Sequence, residues 1–68
     1  MLDPGRPARL ASLDGAAFGL KCEYEYSRER GTFLYRFTRS GRFLSYETDP
    51  HRVPAKMSDY IAKEKGKP

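Results

Sequence analysis

The sequence has no tryptophan, a single cysteine, a single histidine and few branched aliphatic residues, and each scarcity removes a class of protein. With only Cys22, no internal disulfide can form. His51 is the sole histidine, and no group of Cys, His and carboxylate residues stands at metal-ligand spacing, so no metal or cofactor is expected. The six glycines are scattered at turn positions, which leaves no phosphate-cradling loop. No apolar run approaches the roughly 20 residues of a membrane span. Residues 1–7 lack the apolar stretch of a signal peptide, and with the lone thiol this points to the cytoplasm.

The 68 residues suffice for one domain. A chain of this size buries roughly 60% of the surface its unfolded form exposes, so its core is slim. Disulfide and metal reinforcement being absent, a partner chain is the remaining route to added stability, and a second copy, as a homodimer, is one expectation. Residues 1–7 and 66–68 read as flexible tails around a domain over residues 8–65.

What the sequence does have is alternation. Over residues 18–26, Phe18, Leu20, Cys22, Tyr24 and Tyr26 alternate with glycine and charged residues. Residues 28–31 form a loop in which Gly31 is free to take positive φ. A second strand is expected over residues 32–38, with Phe33, Tyr35 and Phe37 on one face, and a third over residues 42–48, after a turn at Ser40-Gly41. One register serves both hairpins. Tyr26 then faces Phe33, Tyr24 faces Tyr35, Cys22 faces Phe37, Phe37 faces Leu44 and Tyr35 faces Tyr46, while Glu23 meets Arg36 on the opposite side. Six aromatic residues, Tyr46 among them, then converge on one face.

The flanks carry helical signals. In residues 7–13, Pro7 suits a first helical position, Leu10 and Leu13 are at helical spacing, and Gly15 is a stop. Asp14-Gly15 is equally a hairpin signal, which leaves a fourth N-terminal strand as the alternative. After the Asp49-Pro50 break, residues 54–65 read as a helix with Met57, Tyr60 and Ile61 on one stripe. The expected fold is therefore α+β: a three-stranded antiparallel meander with a short C-terminal helix packed on the aromatic face.

These residues point to binding rather than catalysis. His51 sits in a linker with no nucleophile or carboxylate that strand logic brings near it, and Cys22 alternates with buried apolar positions. No catalytic residue is assigned. The charge of +4 is modest, and the expected polar sheet face carries Lys21 and Arg36 against Glu23, Glu25 and Glu47. Leu34 and Phe43 are apolar intruders on that face, placed near each other beside the second turn. With Arg36, Arg39, Arg42 and Tyr46 they form the candidate protein-binding set. The leading expectation is a protein-interaction module, an inhibitor or accessory regulator of a larger protein, of the kind phages and mobile elements encode. The alternative is a nucleic-acid binder gripping phosphates through Arg28, Arg30, Arg39, Arg42, Arg52, Lys56, Lys63, Lys65 and Lys67. A third expectation is a metal-free ribonuclease built from Arg, Lys, Tyr and Glu side chains.

Overall fold

Period-two alternation followed by tight turns builds the sheet, and proline-initiated segments build one helix before it and one after it in the chain. A computed structural model describes residues 3–67. The chain runs α1 (Arg6–Gly15), a 3-10 turn (Ala16–Phe18), β1 (Leu20–Ser27), β2 (Thr32–Arg39), β3 (Arg42–Glu47), a second 3-10 turn (Pro50–Arg52) and α2 (Val53–Lys65). The strands form one antiparallel sheet in the order β1-β2-β3. This is the expected α+β meander, with the C-terminal helix against the sheet. Residues 1, 2 and 68, assigned above to the tails, lie outside the described residues.

The first hairpin has the expected register: Tyr26 pairs with Phe33, Tyr24 with Tyr35, Cys22 with Phe37 and Glu23 with Arg36. Its loop closes through a bond from the Gly31 N–H to the Ser27 carbonyl, 2.8 Å, with Gly31 at φ 67°. The strand starts later than expected, because Phe18 ends the 3-10 turn and Gly19 takes a left-handed φ of 72°. The Gly19 carbonyl accepts from the Ser40 N–H, which ties this corner to the β2–β3 turn.

The second hairpin departs from the expected register. Its two-residue turn, Ser40 at φ 48° and Gly41 at φ 84°, is the type that matches the twist of paired strands. Arg39 pairs with Arg42 and Thr38 with Phe43, but Phe37 then pairs with Ser45, Arg36 with Tyr46 and Tyr35 with Glu47. Leu44 is the extra residue of a β-bulge. Beyond it every side chain changes face. Tyr46 therefore leaves the aromatic core side, where it was expected, for the opposite face, and Ser45 and Glu47 turn to the helix side.

Both helices lie on one side of the sheet. α1 forms instead of a fourth strand, and it packs through Ala8, Ala11 and Gly15, leaving Leu10 and Leu13 exposed at 50% and 75%. Small residues permit the close approach: a Cβ on Gly15 would lie 2.7 Å from Leu20 Cβ and 2.8 Å from Met57 Sδ. The core joins Ala8, Ala11, Leu20, Cys22, Tyr35, Phe37, Val53 and Met57. α2 adds Tyr60, whose ring lies 5.5 Å from that of Phe37 and whose hydroxyl hydrogen-bonds Ser45. The described part of the N-terminal segment, expected as a tail, makes two contacts with the domain: the Tyr35 hydroxyl donates to the Pro4 carbonyl at 2.7 Å, and Asp3 pairs with Arg9. No helix among the described residues is long and apolar enough to cross a membrane.

Candidate docking face

With both helices on one side, the other face of the sheet is uncovered. The alternation of β1 and β2 sends Lys21, Glu23, Glu25, Leu34, Arg36 and Thr38 to it, and the bulge in β3 adds Phe43 and Tyr46. Those two rings stack at a tilt with centroids 4.9 Å apart, yet Phe43 stays 52% and Tyr46 48% exposed. An aromatic pair of this kind is large, rigid and only half desolvated. Without the extra residue at position 44, Phe43 and Tyr46 would fall on opposite faces, so the bulge itself creates the pair.

One row across the sheet holds Glu23, Arg36 and Tyr46 as direct neighbours. The Arg36 guanidinium donates to Glu23 Oε1 at 3.1 Å, both side chains being half exposed. The pair turns the guanidinium towards β1 without burying charge, while the backbone of Arg36 stands opposite Tyr46. Arg36, Leu34, Phe43 and Tyr46 from the candidate protein-binding set thus share one face. Leu34 does not adjoin Phe43, however. It pairs with Glu25, four residues along β2 from the partner of Phe43, a distance of roughly 13 Å at strand rise.

Arg39 and Arg42 stand apart from this set. They pair with each other at the β2–β3 turn on the helix side, where Arg39 reaches Glu64 Oε1 of α2 at 2.9 Å. Glu64 also accepts from Lys67 at 3.0 Å, and these two cations hold its carboxyl below the ordinary carboxylate range, Lys67 contributing most.

The nine cations of the nucleic-acid set do not form one surface. Arg28 and Arg30 sit in the β1–β2 loop, at the opposite end of β2 from Arg39 and Arg42 at the β2–β3 turn. Four are engaged in ion pairs: Arg39 and Lys67 with Glu64, Arg52 with Asp49 at 3.8 Å and Lys56 with Glu47 at 3.8 Å. Lys63 lies over the Tyr60 ring, 5.8 Å from its centroid. Phosphate-tracking proteins align their positive charge along one stripe, and the two loop arginines lie at the far end of the sheet from Arg39 and Arg42.

Among chemically active groups, the Cys22 thiol is buried, and desolvation with help from Glu23 pushes it up to about 11. It is therefore a protonated thiol at neutral pH. His51 is exposed in the second 3-10 turn, where its backbone N–H donates to Asp49 Oδ1 at 2.9 Å. Among the described residues no three His, Cys, Asp or Glu side chains gather as a metal site.

Sequence reasoning missed Ser12. Its Oγ accepts from the Cys22 N–H and donates to the Cys22 carbonyl, both at 2.9 Å, so a helix side chain closes one rung of the β1 edge. Nothing in a solitary serine on a helix announces this. The bulge did leave a signal, since Phe43 and Leu44 are consecutive apolar residues that break strict alternation.

No protein-family model matches the chain, and no curated protein or solved structure is significantly similar to it.

Proposed function

We propose that this chain is a non-catalytic protein-binding module, an inhibitor or accessory regulator, that docks on a larger protein through the uncovered face of its sheet. The observation that carries this reading is the exposed Phe43–Tyr46 pair beside Arg36. Aromatic residues and arginine are the side chains that dominate binding energy at protein interfaces, above all when clustered. The charge on the face is balanced, with Lys21 and Arg36 against Glu23 and Glu25, which suits a mixed protein surface better than a phosphate backbone. The same reading puts the protein in the cytoplasm, where a lone thiol stays reduced. Its test is paired: a Phe43→Asp variant that keeps the wild-type fold by circular dichroism loses a partner that the wild type retains after nuclease treatment. Retention by the variant would sink the reading.

A second reading, a metal-free ribonuclease, gains one specific support from the Glu23–Arg36–Tyr46 row, which places an acid, a cation and a phenol side by side on an open face. Labelled RNA incubated with wild type and with Glu23→Gln decides it. Cleavage by the wild type that the variant lacks supports the ribonuclease, and intact RNA in both disposes of it.

A further inference from the structure

The two edges of the sheet are treated differently. At β3 the Tyr46 carbonyl is taken by the Lys56 ammonium at 3.0 Å. At β1, Ser12 takes both backbone groups of Cys22. Along a strand, alternate residues direct their N–H and C=O groups to the same side. Tyr24 and Tyr26 share the parity of Cys22, so their backbone groups point away from β2, and no hydrogen bond engages them among the described residues. An open groove of about 570 Å³ borders this edge, lined by Ala8, Arg9, Leu13, Cys22 and Tyr24 among others. Its walls are largely carbon, and Leu13, Tyr24 and Tyr26 present exposed apolar surface along it and just beyond it.

Charge decides what fits. Glu25 projects from the middle of this open stretch on the uncovered face, and no cation among the described residues pairs with it, whereas Glu23 has Arg36. A second copy pairing antiparallel through Tyr24 and Tyr26 places glutamates opposite one another in the central registers, Glu23 against Glu25 or Glu25 against Glu25. Like charges directly opposite are destabilising. A strand with a basic residue opposite Glu25 and apolar residues on either side meets complementary charge on one face and the Leu13–Tyr24–Tyr26 surface on the other.

We propose that the β1 edge beyond Ser12 takes up an extended segment of a partner protein, basic opposite Glu25 and apolar opposite Tyr24 and Tyr26, as an added fourth strand. This rests on the reading of the chain as a protein-binding module and names the chemistry of the segment bound. Four backbone hydrogen bonds, two each from Tyr24 and Tyr26, set the register, and Ser12 bars the strand from sliding past Cys22.

The test uses two capped nine-residue peptides, one alternating valine with lysine and one alternating valine with glutamate. Amide hydrogen exchange is followed at Tyr24 and Tyr26, and affinity is read by fluorescence anisotropy. The expected result is slowed exchange at both amides with the lysine peptide, bound roughly threefold to tenfold more tightly than the glutamate peptide, a ratio that Glu25→Lys inverts. Tyr24→Pro, which removes an outward-facing donor that the sheet does not use, abolishes the protection without unfolding the chain. Unchanged exchange at saturating lysine peptide, or equal affinity for the two peptides, overturns the proposal. Protection that rises with protein concentration in the absence of peptide overturns it in favour of a second copy. Phe43→Asp leaves peptide binding unchanged, so failure of the edge and failure of the docking face are read separately.

Discussion

Ser12 Oγ stands 2.9 Å from both the amide nitrogen and the carbonyl oxygen of Cys22, so α1 is fastened to the β1 edge by hydrogen bonds as well as by apolar packing. Ser12→Ala removes both bonds at once and leaves two backbone groups without a partner beside the helix. The expected loss is about 1–3 kcal/mol, read from the midpoint of urea unfolding, since a net hydrogen bond is worth about 0.5–1.5 kcal/mol. A midpoint unchanged from wild type would show that water replaces the serine at no cost.

Gly15 is needed for space rather than for backbone freedom. Alanine at this position gains about 0.8–1 kcal/mol of helix propensity but forces a Cβ against Leu20 and Met57, and overpacking costs about 1–3 kcal/mol. Gly15→Ala is therefore expected to lower the unfolding midpoint. Gly66→Ala, where the nearest atom to an added Cβ is the Ala62 carbonyl oxygen at 3.4 Å, should stay within about 0.5 kcal/mol of wild type. Equal effects at both positions would contradict the packing of α1 on the sheet and α2.

The Cys22 thiol gives a pH signature. Its value is raised from 9.0 to about 11 in the folded chain, so the neutral form is favoured by folding. The stability this represents is fully present below pH 9.0 and is lost as pH rises towards about 11. A Cys22→Ala variant should lack this alkaline loss. Native protein at pH 8 should react with iodoacetamide about a hundredfold more slowly than the chain in urea. Equal rates would place the thiol at the surface.

Tyr35→Phe removes only a hydroxyl, the one that holds the Pro4 carbonyl 31 residues away in sequence. About 1 kcal/mol of destabilisation is expected, with faster exchange at the Gly5 and Arg6 amides at the start of α1. No change in exchange there would mean the N-terminal segment is held by other contacts.

The first hairpin was legible in the sequence because three physical signals agree on it: alternation, a glycine-closed loop, and the Glu23–Arg36 pair across the strands. α2 was legible for a similar reason, with Pro54 at its start and a Met57–Tyr60–Ile61 stripe at helical spacing. The second hairpin was legible only as far as its turn. A bulge costs one residue of register, and pairing rules assume none, so Tyr46 was assigned to the core when it lies on the open face. α1 was only half legible, because Asp14-Gly15 left a fourth strand open beside the helix, and its orientation was not legible at all. Hydrophobicity ranks Leu10 and Leu13 above Ala8 and Ala11, whereas a helix lying close to a sheet favours the smaller side chains. The candidate face was half legible: Arg36, Leu34 and Phe43 were placed on it by alternation, and its aromatic pair exists only through the bulge.

On the proposed function, the Phe43–Tyr46 pair anchors a protein partner. The most direct test is quantitative capture from nuclease-treated lysate of the source organism, comparing wild type, Phe43→Asp with Tyr46→Asp, and Leu10→Asp as an equally exposed control on α1. A saturable protein bound by wild type and control but lost by the double variant is the expected result, with all three chains folded by circular dichroism. Capture that survives the double variant, or that disappears on nuclease treatment, would show that this pair does not anchor a protein partner.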